Sequence, residues 1–240
     1  MMRRALLIVA KAPAPGRTKT RLVPPLSAAD AALLYRGFLL DGVTTALELG
    51  WECVSVVHPA GHRQLLADFL PAQVRLVEQS GYGLGDALSS AFDRHLAEGF
   101  VRVVLISSDN PTLPIESIRS ACAALGDHDL TIGPTADGGY YLLGLRAAQP
   151  RVFENIDWST PRVYAQTLAH AAQLGLRVHA VPEWYDVDEP ADLDRLRLDL
   201  RTLPHDVASA TRAALERIAV AERAREPSLA LSAPEGLPTG

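Results

Sequence analysis

Short apolar runs alternate with longer helix-periodic stretches along most of the chain, and this alternation constrains the fold more than any other feature. Residues 5–10 are a continuous apolar run of strand length, which suits a strand buried on both faces, and 101–106 is the strongest strand candidate in the chain. Residues 51–58, 74–78, 130–132, 140–145 and 177–181 are further strand candidates. Helical periodicity fills most of the gaps, from a start at Ser27 and Asp30 to Leu49, then over 63–70, up to Leu96, and over 115–125, 162–174 and 190–200. Gly81, Gly83 and Gly85 read as a flexible loop ahead of the third of these helices. The pattern predicts an α/β fold, a mostly parallel mixed sheet with helices on both faces.

At 240 residues the chain has room for one or two domains. Residues 1–203 carry the strand–helix alternation, 204–226 read as one added C-terminal helix, and 227–240 lack periodicity and are expected to be disordered. A net charge of −5 argues against a broad nucleic-acid footprint. The two cysteines, Cys53 and Cys122, give neither a disulfide framework nor zinc spacing. The first apolar run is too short for a signal-peptide core, and no stretch approaches the roughly 20 apolar residues of a membrane helix. The expectation is a soluble, cytoplasmic protein with no membrane and no nucleic-acid partner.

Of the 23 basic residues only Lys11 and Lys19 are lysine, and both fall in one Pro/Gly-rich segment directly after the first strand. In open α/β sheets ligands bind beyond the carboxyl ends of the strands. A loop stiffened by prolines, opened at Gly16 and carrying Arg17, Lys19 and Arg21 suits a di- or triphosphate. The spacing is neither a Walker A loop nor a dinucleotide fingerprint. A solvated basic loop is the plainer alternative.

Asp109 follows the most hydrophobic strand, where a carboxylate can face the crevice, although Asp-x-Pro is also a common turn opening. Asp186 and Asp188 alternate, so an extended backbone points both to one side. Helix capping before Pro190 is the competing reading, with Asp192 and Asp194 solvated on the helix surface. The three carboxylates are expected to share one coordination sphere around Mg²⁺ or Mn²⁺. Two glycine segments, around Gln79, Gly81, Gly85 and Asp86 and around Asp137, Gly138 and Gly139, remove side chains where a sugar or base could approach. The Tyr140–Tyr141 pair reads as strand core and rim. The seven histidines are scattered, His58 and His62 lack partners at ligand spacing, and no Ser/His/Asp set is readable.

Five ordered motifs then carry a resemblance. K-x-P-x-P-G-x-x-K-T-R-L at 11–22, S-D-x-P at 108–111, G-P-x-x-D-G-G-Y-Y-L-x-G-L at 133–145, W-S-T-x-R-V at 158–163 and D-V-D-x-P-x-D-L at 186–193 resemble the DUF2064 family. That family is also labelled radical-SAM/selenodomain-associated transferase 1. The resemblance spans about 6–200 and implies a nucleotide-diphospho-sugar transferase (glycosyltransferase-A) fold. A more distant similarity runs to the 2-phospholactate and molybdenum-cofactor guanylyltransferases. Asn110 stands where the family usually has Cys, and Gly83-Leu-Gly-Asp86 where it has Gly-Asp-Leu-Gly.

Together these readings assign Lys19, Arg21 and Asp109 as candidate catalytic groups. Ala10, Lys11, Pro13, Gly16, Arg17, Lys19, Gln79, Gly81, Gly85 and Asp86 are assigned to the nucleotide. Asp137, Gly138, Gly139, Ser159 and Thr160 go to the acceptor, and Asp109, Asp186 and Asp188 to the metal. The implied function is metal-dependent nucleotidyl transfer from an NTP to a phosphate- or carboxylate-bearing small acceptor. Glycosyl transfer from a nucleotide-diphosphate sugar and a non-catalytic nucleotide-binding module are the alternatives.

Overall fold

Strands β1 (Arg4–Val9), β2 (Cys53–His58), β3 (Arg75–Glu78), β4 (Arg102–Ser107), β5 (Leu130–Pro134), β6 (Tyr140–Leu145) and β7 (Val178–Ala180) form one sheet of order β3-β2-β1-β4-β6-β5-β7. The structure, a computed structural model, describes residues 3–225; the tail expected to be disordered, 227–240, lies outside the described residues. All neighbouring pairs are parallel except those made by β6, which runs antiparallel to both β4 and β5. The loop 135–139 between β5 and β6 is too short for the dozen or so residues that a parallel crossover needs, so the pair must fold back as a hairpin.

Successive residues of β1 point to opposite faces, and both faces are covered. Leu6 and Ile8 pack with Leu39 and Val43 of α1 (Ala28–Glu48) and Ile118 of α4 (Ile115–Ala124). Ala5 and Leu7 pack with Leu88 and Phe92 of α3 (Gly83–Ala97) and Ala171 of α5 (Val163–Gln173). The short α2 (Arg63–Ala67) precedes β3. A third apolar cluster joins Leu34 and Phe38 of α1 to Leu193 and Leu196 of α6 (Pro190–Thr202) and Ile218 of α7 (Ser209–Arg225).

Helix starts follow local chemistry. Ser27 Oγ accepts the Asp30 N–H at 3.1 Å and caps α1. Glu189 and Asp192 form a reciprocal capping box before Pro190 at the head of α6, so Asp192 is a cap and not the solvated surface group expected. Asp194 does sit at the surface, paired with Arg197 at 3.1 Å. The cap of α7 comes from another helix: the Asp41 carboxylate of α1 accepts the Ala210 and Thr211 N–H groups at 2.9 and 2.8 Å. A Cβ on Gly37 would lie 3.0 Å from Ala210 O, so α7 is seated hard against α1. Among the described residues no helix is long and apolar enough to cross a membrane.

Candidate active site

Three segments meet beyond the carboxyl ends of the central strands. The basic loop follows β1, the Ser107–Asp109 turn closes β4, and the extended segment after β7 runs past both. The last is pinned to the sheet by a parallel bridge between Thr135 and Trp184. It is pinned to the turn by the Val187 N–H, which donates to Asp109 O at 2.9 Å. Residues far apart in sequence therefore share one crevice, as expected for an open α/β sheet.

Lys19 is the centre of this crevice. Its backbone lies in the left-handed region at φ 50°, a conformation that costs a lysine of order 1 kcal/mol or more and aims its side chain inward. The ammonium is 2.8 Å from Asp109 Oδ1 and 2.7 Å from Asp188 Oδ1, with only 4% of the side chain exposed. The Tyr35 and Phe38 rings lie 5.9 and 5.8 Å from it. Burial alone would favour the neutral amine, but the two carboxylates outweigh it and hold the group protonated, with its pKa raised.

Asp186 completes the charge pattern. Its Oδ1 accepts from Asn110 Nδ2 at 2.5 Å, and the same amide donates to Tyr185 O at 2.7 Å. Burial first, then the charges of Asp109 and Asp188, push its carboxyl up to about 7, while Lys19 and the Asn110 bond pull the other way. Two carboxylates thus pair with one lysine, and the third, on Asp186, lies within reach of their charge.

The three carboxylates expected to share one coordination sphere have other partners. Among the described residues no group of three or more His, Cys, Asp or Glu side chains is arranged to hold a metal ion. The point shared by Asp109 and Asp188 is taken by the Lys19 ammonium, and Asp186 turns to Asn110. Asp109 nonetheless directs its carboxylate at Lys19 and not at its own turn.

Two residues given no role from the sequence, Tyr35 and His62, hold the basic loop. Tyr35 Oη accepts the Lys11 N–H at 3.1 Å and shares a 2.9 Å hydrogen bond with Ser108 Oγ, so α1 ties the loop to the β4 turn. Burial and the Asp109 charge push its hydroxyl up to about 12. His62 Nδ1 accepts the Ala12 N–H at 2.8 Å, and burial lowers its pKa, which keeps that lone pair free. Ala10 is buried beneath the loop, Pro13 half-buried, and Lys11, Gly16 and Arg17 exposed. Arg21 pairs with Glu189 at the head of α6. No carboxylate among the described residues pairs with Lys11 or Arg17.

The glycine segments mostly serve the protein itself. A Cβ on Gly81 would come 2.3 Å from Asp86 Cβ, one on Gly85 2.8 Å from Phe153 O, and one on Gly138 2.2 Å from Pro161 O. Their missing side chains make room for neighbouring chain. Gly139 is tight against Thr135 Oγ1 at 3.0 Å, whereas Gly16 and Gly83 face open space. Helix α3 begins at Gly83, inside the expected loop, and Asp86 stabilises its first turn by accepting the Tyr82 N–H at 2.8 Å. Gln79 continues the strand pairing, its N–H on His58 O. Asp137 closes the β5–β6 turn by accepting from Thr135 Oγ1 and the Gly139 N–H. Ser159 is left-handed at φ 63°, and Thr160 Oγ1 donates to Asp157 O at 2.7 Å.

Comparison with known proteins places the chain and its fold. The family described as an uncharacterized protein conserved in bacteria, DUF2064, matches residues 43–160. A provisionally named nucleotide-diphospho-sugar transferase from Desulfovibrio desulfuricans G20 is 31% identical, with a TM-score of 0.85 over 93% of this chain and 98% of that one. The chain belongs to the DUF2064 family. This DUF2064 protein also shares its fold with Rv0371c of Mycobacterium tuberculosis H37Rv, determined as a complex with manganese (17% identity, TM-score 0.52, 82% of this chain and 98% of that one). A further likeness is to 4-diphosphocytidyl-2C-methyl-D-erythritol synthase (15% identity, TM-score 0.53, 83% and 99% covered). The DUF2064 chain therefore has the expected nucleotide-diphospho-sugar transferase fold, one shared by nucleotide-using transferases. No curated protein matches it.

Proposed function

We propose that this protein transfers a nucleotidyl group from a nucleoside triphosphate to a small acceptor bearing a phosphate or carboxylate. Lys19 carries the reading. A buried ammonium shared by Asp109 and Asp188 ends a proline-stiffened loop whose remaining cations face solvent. The triphosphate would lie along that loop, with Lys11, Arg17 and Arg21 on its outer oxygens and the open backbone at Gly16 beneath. Lys19 would stand beside the reacting phosphorus. An acceptor oxygen attacks the α-phosphorus, the bond to the bridging oxygen of the β-phosphate breaks, and pyrophosphate leaves with that electron pair. Catalysis is then positioning and charge stabilisation by a preorganised ammonium.

The donor set suits a hard divalent cation. It contains only oxygen ligands, and the charges of Asp109 and Asp188 add to the burial that pushes the Asp186 carboxyl up. Asp109 and Asp188, whose side chains are 29% and 36% exposed, would hold Mg²⁺ or Mn²⁺. Such an ion would neutralise phosphate oxygens as charge develops on them.

The name of the 31% identical relative supports a second reading, glycosyl transfer, in which the same groups would stabilise a departing nucleoside diphosphate. One assay separates the two. The protein is incubated with each NTP, UDP-sugar and GDP-sugar, Mg²⁺ and a panel of phosphorylated and carboxylated acceptors, and pyrophosphate and nucleoside diphosphate are measured separately. The proposal expects pyrophosphate from an NTP. Nucleoside diphosphate from a sugar donor would replace it with the second reading, and neither product would leave a nucleotide-binding module.

A further inference from the structure

At the opposite, amino-terminal edge of the sheet, the starts of β1, β2 and β4 and the ends of α1 and α4 enclose a cleft of about 520 Å³. That is within the range of small-molecule sites, roughly 300–1,000 Å³. Its floor is apolar, built from Leu49, Trp51 and Ala123, whereas its charged lining is unbalanced. Arg4, Arg102 and Arg119 reach it, and Glu52 is the one carboxylate in the lining.

The three guanidinium groups are not equally committed. Arg4 is held by Glu52, whose Oε2 also accepts the Arg4 backbone N–H at 2.7 Å, and lies 5.7 Å over the Trp51 ring. Arg119 reaches back to Glu116 at 2.5 Å, an exposed pair of the kind that contributes little. Arg102, half-buried, has no carboxylate partner among the described residues. Its Nη1 donates to Cys122 O at 3.1 Å, which satisfies a carbonyl near the end of α4. That capping role uses one of the five N–H groups of a guanidinium.

We propose that this cleft is a second ligand site, taking a small organic anion. A carboxylate or phosphate head would meet Arg102 and Arg119, and a planar or apolar body would lie on Trp51. The cleft stands a full strand length from Asp109, so the inference does not depend on the reaction proposed above.

The test uses 8-anilinonaphthalene-1-sulfonate, an aromatic anion, titrated into the full-length protein. The expected result is one saturable equivalent, with energy transfer from tryptophan to the probe that largely disappears in Trp51→Phe. Trp158 and Trp184 lie at the carboxyl side of the sheet, farther from the probe than Trp51, which lines the cleft and should carry most of the transfer. Arg102→Gln and Arg119→Glu should each weaken binding about tenfold or more, the scale of a lost charge-assisted hydrogen bond. Arg119 sits on the surface of α4, so Arg119→Glu decides the matter even if Arg102→Gln fails to fold. Unchanged affinity in Arg119→Glu, energy transfer that survives Trp51→Phe, or binding without saturation at one equivalent would overturn the proposal.

Discussion

Lys19 and Asp188, 169 residues apart in the chain, form a 2.7 Å ion pair that closes the basic loop onto the segment entering α6. Removing one partner of a buried pair strands the other, at a cost of about 3–5 kcal/mol when both are buried. Both aspartates here are near one-third exposed, which reduces that figure. Lys19→Met should therefore lose about 1–3 kcal/mol in urea denaturation, and Asp188→Asn in the Lys19→Met background should recover part of it. A double-mutant cycle with no coupling would contradict the pairing.

Tyr35 should matter through its hydroxyl and not its ring. Tyr35→Phe keeps the aromatic face under Lys19 but leaves the Lys11 N–H and Ser108 Oγ without their shared partner. Stability should fall by about 1–3 kcal/mol. Calorimetry with the NTP that the product assay identifies should show weaker binding, because the loop loses its tie to α1. A variant that is destabilised yet binds nucleotide normally would make Tyr35 a purely structural residue.

Asp41 offers a test of how α7 is held. Asp41→Ala removes the acceptor for two N–H groups at the start of that helix. A loss of about 1–2 kcal/mol is expected, as for other N-caps. Hydrogen exchange should show faster opening of the first turn of α7, while β1 and β4 keep their protection.

The stability of the metal-free protein should depend on Asp186. Its folded carboxyl titrates near 7, well above the value of about 3.9 for an unfolded chain. Between those values the folded state holds a proton that the unfolded state has lost, so stability falls as pH rises through that window. Asp186→Asn keeps the oxygen facing Asn110 and removes this contribution. Denaturation at pH 5 and pH 8 in EDTA should show a smaller pH difference for the variant, and an equal difference would contradict the assignment.

Much of this was legible in the sequence because it rests on local chemistry. A continuous apolar run located β1, a run broken only by Arg102 located β4, and Ser27 with Asp30 located the start of α1. The antiparallel course of β6 is legible too, because the loop 135–139 is shorter than a parallel crossover needs. What spacing could not show was who stands opposite whom. Lys19 read as a free phosphate cation because Asp109 and Asp188 lie far along the chain. Tyr35 sits on an apolar helix face and reads as core, although its hydroxyl points to the loop. A missing Cβ likewise marks a close approach without saying what makes it, and at Gly81, Gly85 and Gly138 neighbouring chain stands there.

The measurement that bears most directly on the central claim is Mg²⁺-dependent turnover and melting temperature of Asp109→Asn, taken on the same preparation. The substitution keeps size and an acceptor for Lys19, removes one charge, and relieves Asp186 of a like-charged neighbour. If the crevice around Lys19 performs nucleotide chemistry, turnover should fall about a hundredfold or more, the scale of a lost electrostatic or positioning group. The melting temperature should move by only a few degrees. Retained turnover with a clear drop in melting temperature would make Asp109 a structural anchor for Lys19 and contradict the account.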